Sequence, residues 1–369
     1  MSEDLSSFLK LCSEVASASA FFSDGESRFQ KISERGKIRD KYRYLSSFPR
    51  EALLAAGSAD VTDKIKSLKE EHSYFPEKDF SPSFIRDSES DPFALAAQSL
   101  PYRLVIPDSN LLSLDLSEPL SRFVILMNHS SPVTVTVNTQ APASVLFILS
   151  PGSSLKVLAG FTNSWSASFV SMRALVGDNA HFSLETAQAG SGDLTIDAMA
   201  YLTGAGSSAD ISSVNATAQG NFSTFVKIHH LADNTSSNQR LYSVAGREGH
   251  ENFRGEIYAA KGTAEVKAHQ IHKSLLLDES ASANANPFLE IYTDSVECSH
   301  GSSTGFSDDD ALYYLRARGI SAEDARSLLI GAFVADGFST FSNPGYFSKS
   351  FLETAGSILG QKILISEEP

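Results

Sequence analysis

Between about Leu120 and Ile291 the chain is a succession of short β-type runs, such as Phe123-Val124-Ile125-Leu126, Val133 to Val137 and Val145 to Leu149, punctuated by Asn, Ser, Gly and Pro. No helical apolar period interrupts them. Strands this short and this numerous can be buried in a sandwich, a barrel or a β-helix. A chain of 369 residues exceeds the ordinary single-domain size unless stacked repeats extend one continuous core. One spacing favours the last of the three. His230, His250 and His269 recur at a near-regular interval and are predicted to occupy equivalent positions on successive rungs.

The flanks have a different texture. Leu5, Phe8, Leu9 and Cys12 repeat at helical spacing, so residues 1–75 read as a helical N-terminal region with Cys12 as a small core residue. Residues 76–119, rich in Pro, Ser and Asp, read as an irregular connecting segment, followed by the β region over 120–305. Helical signals return over 306–369. Ser307 is placed to cap a helix whose first turn holds Asp308, Asp309 and Asp310, and Gly319 is placed to end it. Ser321 can cap a second helix, in which Ala325, Leu328, Leu329, Ala332 and Phe333 fall on one apolar face. Such a face can pack on its own domain or lie in a partner's groove.

Several function classes are disfavoured. A net charge of -14, from 30 basic and 44 acidic residues, repels nucleic acid and anionic membrane surfaces. No apolar run has the length of a membrane span, and the acidic start MSEDLSSFLKLCSEV is unlike a secretory leader, so a cytoplasmic location is expected. The two cysteines, Cys12 and Cys298, suggest no disulfide framework. Sequons at Asn128, Asn215, Asn221 and Asn234 are then ordinary polar loop residues. There is no phosphate-binding P-loop, so any ATP dependence belongs to a partner, and Gly204-Ala205-Gly206 is a turn rather than a dinucleotide fingerprint. A sugar-cleaving β-helix enzyme would need a carboxylate pair, for which Asp193 and Asp197 are the nearest approach.

The densest chemistry lies in Val296-Glu297-Cys298-Ser299-His300-Gly301. In an extended strand Cys298 and His300 project to the same face. Together they can ligate iron or zinc, or the imidazolium can activate the thiol; the alternative is a strand-end pair with packing roles. One pair cannot complete a four-ligand site.

Several ordered motifs then carry a family resemblance: His230 with Thr235-Ser236-Ser237-Asn238-Gln239, Phe253-Arg254-Gly255, Ser274 to Leu277, Pro287 to Ile291, Cys298 to Gly301, Leu312 to Gly319, and Leu328-Leu329-Ile330. Lys41-Tyr42-Arg43-Tyr44 matches more loosely. The chain resembles the core family shared by the SufB and SufD scaffold subunits of SUF iron–sulfur cluster assembly. Cys298-Ser299-His300-Gly301 is the SufD form, and His272 stands where SufB-like chains carry a key cysteine. The resemblance implies a mainly β fold, a right-handed parallel β-helix core with helical N-terminal and C-terminal regions. It also implies a scaffold that is not an enzyme on its own and binds no nucleotide. Its partners would be a SufB-type subunit, met through the β-helix ends, and a SufC-type ATPase, docked on Leu312, Leu315, Leu328, Leu329 and Phe333. A nascent iron–sulfur cluster would be shared with the partner chain at Cys298 and His300, with His300 the stronger candidate ligand. A homodimer of the same scaffold is the principal alternative. His229, His250 and His269 either form a sulfur path or decorate a solvated face.

Overall fold

A computed structural model describes residues 103–105, 110–115, 121–127, 132–138, 143–306 and 309–364. The expected helical region 1–75, with Cys12, lies outside the described residues, as does the expected cap Ser307. Strand pairing starts within the segment expected to be irregular, at β1 (Arg103–Val105) and β2 (Leu111–Asp115). It continues through β3 (Ser121–Met127), β4 (Val133–Asn138), β5 (Ala143–Leu149), β6 (Ser154–Val176), β7 (His181–Leu202) and β8 (Ser208–His230). The last strands are β9 (Ser236–Ala259), β10 (Val266–Leu276), β11 (Ser282–Ile291) and β12 (Val296–Phe306).

The pairing makes this a parallel β-solenoid. Each of β6 to β9 pairs along both its halves with the next coil, with register shifts at Trp165/Ser168, Gly190/Leu194 and Ala218/Gly220 where the strand bends. First halves stack with β2, β4, β10 and β12 into one wall; second halves stack with β1, β3, β5 and β11 into the other. Register partners run 154, 181, 208, 236, 267 and 297, so the repeat is 27 residues twice, then 28, 31 and 30.

The turns that set this repeat are local. Gly152, Asn179, Gly206, Asn234 and Gly262 each have positive φ, which glycine adopts freely and asparagine tolerates best among the others. The next residue is Ser153, Ser207, Thr235 or Thr263 in four of the five turns, and its hydroxyl donates to the carbonyl three residues back. The Gly204-Ala205-Gly206 segment is one of these turns, as expected. The histidines are not the repeat signal. Their interval is shorter than a coil, so they land at unrelated positions: His230 inside, between Thr235 and Ser237, but His250 and His269 on the outside, against Ser282 and Ser299. The sequons also depart from expectation, since Asn215 and Asn221 are buried in β8.

Alternation divides each strand into inner and outer residues. In the early coils the inner set is apolar, with Val145, Phe147, Val157, Phe161, Val170 and Phe182 in one core. From β7 onward the first wall turns polar inside: Thr186 and Gln188, then Ser213 and Asn215, then Gln239 and Ser243, then Gln270, His272 and Ser274, all buried.

Three helices follow: α1 (Asp309–Ala317), α2 (Ala322–Phe338) and α3 (Gly345–Leu359). Gly319 has φ 86° beyond the end of α1, and the Asp324 N–H donates to the Ser321 hydroxyl at 3.0 Å to cap α2, both as the sequence predicts. Ile330, Val334 and Phe338 of α2, with Phe347, Phe351, Ala355 and Leu359, pack on the outer side of the first wall against Leu158, Ala187, Val214 and Tyr242. The buried face of α2 is therefore rotated from the predicted one. Ala325 is buried, but Leu328 is 38% exposed, and Phe333 meets Tyr242 edge-on at 5.7 Å. The face is chosen by glycine: a Cβ on Gly337 would lie 2.9 Å from Val214 and 3.0 Å from Tyr242.

Two glycines separate backbone strain from crowding. Gly152 (φ 71°) has open space around it, so Gly152→Ala is expected to cost about 1 kcal/mol. At Gly220 (φ 153°) a Cβ would sit 2.1 Å from the Gly192 carbonyl oxygen, so Gly220→Ala should cost about 3 kcal/mol or more. Thermal melts of the two variants check the order; equal losses would mean that the bend relaxes around the added methyl.

Candidate functional site

Cys298 and His300 lie on β12, the last strand of the first wall, opposite Ala268 and Gln270 of β10. Both therefore take inner positions two residues apart, as the period-two reading requires. Val296, Cys298, His300, Ser302, Thr304 and Phe306 form one alternating row, and no further strand pairs with β12 among the described residues. β11 ends the second wall in the same way. Unpaired strand edges offer free N–H and C=O groups to another chain. Around them Ile271, Phe288, Leu289, Tyr292 and Phe306 are exposed. The Arg254 guanidinium lies 4.5 Å over the Phe288 ring, which stiffens one part of this end.

The electrostatics revise one expectation. Burial pushes the Cys298 thiol above its ordinary pKa, and a backbone hydrogen bond with Ala268 opposes this only in part. No imidazolium contributes. The thiol is not poised as a free nucleophile; to act as a ligand it would have to give up its proton to a metal. No group of three or more His, Cys, Asp or Glu side chains that could hold a metal occurs among the described residues, so this pair offers part of a coordination shell.

Other sequence candidates lie elsewhere. Leu312 and Leu315 are half-buried on α1, which packs against α2 and buries no residue completely. Leu328 is exposed, Leu329 half-buried, and Tyr313 and Tyr314 of α1 are 74% and 55% exposed. Among these docking candidates Phe333 alone is tied to the solenoid, through Tyr242. Asp193 accepts from the Asn221 backbone and side chain, and Asp197 pairs with Arg173 at 3.4 Å, so neither is poised as a sugar-cleaving acid. His229 is stacked on Tyr201 at a ring distance of 4.5 Å and tilted against Tyr258 at 5.2 Å. Burial, reinforced by Lys227, His230 and Arg173, lowers its pKa to about 3. His229, His250 and His269 occupy separate places in the fold and form no continuous row.

The polar interior escaped the sequence reading. His272 stacks on Phe253 with ring centres 4.8 Å apart, and its two nitrogens lie 3.1 Å from the Ser302 hydroxyl and 3.0 Å from that of Ser274. The signal was present as polar residues at alternate positions in Gln270-Ile271-His272-Lys273-Ser274, but periodicity alone does not say which set faces inward.

The architecture is thus a parallel β-solenoid with a helical hairpin on one wall and a Cys-x-His strand at its open end. Residues 117–333 match the family described as SUF system FeS cluster assembly, SufBD core domain, and the chain belongs to that family. Over 109 residues, 30% of the chain, it is 34% identical to the iron-sulfur cluster assembly protein SufD of Escherichia coli, covering 26% of that protein. It is 37% identical over 100 residues to the chloroplastic protein ABCI7 of Arabidopsis thaliana, covering 27% of the chain and 21% of the relative. The iron-sulfur cluster assembly protein SufB of Bacillus subtilis matches at 27% over 108 residues, 29% of the chain and 23% of that protein. The chain thus spans about a quarter of the length of these curated relatives.

Two measurements follow from the protonation states. The Cys298 alkylation rate should rise with pH through a midpoint above that of an unperturbed cysteine, and His300→Ala should leave the midpoint in place; a midpoint below the ordinary value would restore the activated-thiol reading. For His229 the folded pKa lies below the unfolded one, so the unfolded chain takes the proton first and stability is lost as pH falls from about 6.5 toward 3. His229→Phe should reduce that loss in melts taken between those pH values, and an unchanged acid loss would assign it to other groups.

Proposed function

We propose that this chain is the SufD-type subunit of an iron–sulfur cluster assembly scaffold. It pairs through the β11–β12 end with a SufB-type subunit, docks a SufC-type ATPase on the exposed side of α1 and α2, and works in the cytosol without turnover of its own. The observation that carries this reading is the coincidence, at one unpaired end, of two free strand edges, an exposed apolar set and the Cys298–His300 pair. A partner strand on β12 would satisfy the edge, bury Phe306 and bring in the ligands that Cys298 and His300 lack. The nascent cluster is the cargo of that shared site. The SufD assignment within the family rests on the Cys298-Ser299-His300-Gly301 motif and on His272 in place of a cysteine.

ATP supplies work only if the ATPase binds two scaffold arrangements with different affinity. α2 suits that role because one side is packed on β8 and β9 while Leu328 faces outward. Closure of the ATPase would then pull on α1 and α2 and loosen the paired ends, admitting iron and sulfur to Cys298 and His300.

Co-purification with candidate SufB-type and SufC-type proteins tests this. Tyr313→Asp with Leu328→Asp should remove the ATPase at least about tenfold while keeping the scaffold partner. Phe333 is unsuitable for that test because it supports the fold through Tyr242. His300→Ala should keep both partners and lower cluster formation on the complex. A wild-type chain that recruits neither partner and forms only homodimers would replace the heterodimer with the self-paired scaffold.

A further inference from the structure

Within the last coils the interior contains groups that a dry core does not tolerate. Glu251 is fully buried, and the Asn215 amide donates to its Oε1 at 3.0 Å while its Oε2 has no partner. Gln239 Oε1, both polar atoms of the Gln270 amide and the Thr217 hydroxyl are likewise buried without partners. All belong to inner positions of β8, β9 and β10. A buried polar atom left unpaired costs about 1–3 kcal/mol, and interiors answer that cost with ordered water. The backbone makes room, since Gly255 has no side chain and the Gln270 amide occupies the space where its Cβ would stand.

Of these groups Glu251 belongs to a row of polar side chains that is hydrogen-bonded except at one step. Gln188 and Asn215 both meet Ser213, Asn215 meets Glu251, and Asn215 is the register neighbour of Ser243. Ser243 is 2.7 Å from Ser274, Ser274 is 3.0 Å from His272, and His272 is 3.1 Å from Ser302 on the terminal strand. Ser302 is exposed. The sole step without a direct hydrogen bond runs from Asn215 and Glu251 to Ser243.

We propose that the interior of β8 to β12 is a hydrated proton path from Glu251 to solvent at Ser302, beside Cys298 and His300. Each hop breaks one O–H or N–H bond as it forms the next, and the imidazole of His272 passes a proton by exchanging tautomers. One proton enters at Ser302 as another leaves, so the interior stays neutral. The titratable groups at the inner positions of β8 to β11 are Glu251, His230 and His272. Asn215 of β8 donates to both Glu251 and Thr224, Phe222 and Ala283 flank Glu251 in register, and no Asp, Lys or Arg takes an inner position on these strands among the described residues. Burial raises Glu251 to about 8 against the Asn215 hydrogen bond, so it carries its proton through neutral pH. The path itself is independent of the scaffold assignment. Any use of the path beside Cys298 and His300 rests on that assignment.

Infrared spectroscopy of the whole chain, without iron or partners, tests the proposal. At about pH 6 the wild type should show a protonated-carboxyl C=O stretch that Glu251→Gln removes, since the folded carboxyl is still neutral there. On transfer to D2O this band should shift within seconds while backbone amides of β6 to β8 remain protonated. Ser274→Val, close in volume, should slow the shift at least about tenfold by removing one link; if it does not fold, Ser243→Ala interrupts the same contact. A wild type without the band, a band that shifts only with the core amides, or an unchanged rate in the folded link variant would each overturn the proposal.

Discussion

Parallel pairing in register is the constraint on which the molecule depends. Each coil hands its backbone hydrogen bonds to the next, so the walls are continuous from β1 to β12 and the turns need only return the chain to the same height. Two small devices achieve this: a left-handed Gly or Asn at one edge, and a bulge or bend at the other. The price of the arrangement is its last coil, since β11 and β12 inherit pairing groups that no other strand satisfies among the described residues. The residues with coordination chemistry lie there, where an incoming strand would enclose them.

The fold class was legible because short β runs without helical periods leave few ways of burying so many strands. The repeat was legible too, but in a different code from the one read first. Gly152, Asn179, Gly206, Asn234 and Gly262 recur at 27 or 28 residues, whereas His230, His250 and His269 follow a shorter interval that matches no coil. Backbone geometry sets the period of a solenoid, and residues permitting positive φ mark it better than conspicuous side chains. Local helix signals at Gly319 and Ser321 transferred directly. The seat of α2 did not, because the helix is apolar around most of its circumference and the choice of face depends on Gly337 fitting between Val214 and Tyr242, residues distant in sequence.

The candidate site divides along the same line. That Cys298 and His300 share a face follows from strand periodicity alone. That the thiol is raised rather than activated depends on burial against β10, which no spacing rule reports. The polar interior was hidden for a related reason: Gln270, His272 and Ser274 read equally well as a solvated face until the register of β9 and β10 turns them inward. Glu251 illustrates this most plainly, as a carboxyl on a glycine-rich bend that proves to be among the most enclosed groups in the molecule.

The unfinished last coil also bears on how much of this chain a cell can hold. An exposed strand edge flanked by Phe288, Leu289, Tyr292 and Phe306 does not discriminate strongly between its proper cap and a second copy of itself. If a partner strand caps this edge as proposed, surplus chains would compete for one another, and the safe copy number would be tied to the supply of that partner. Synthesis in step with that cap, as from a shared transcript, would protect the edge as effectively as any change in sequence.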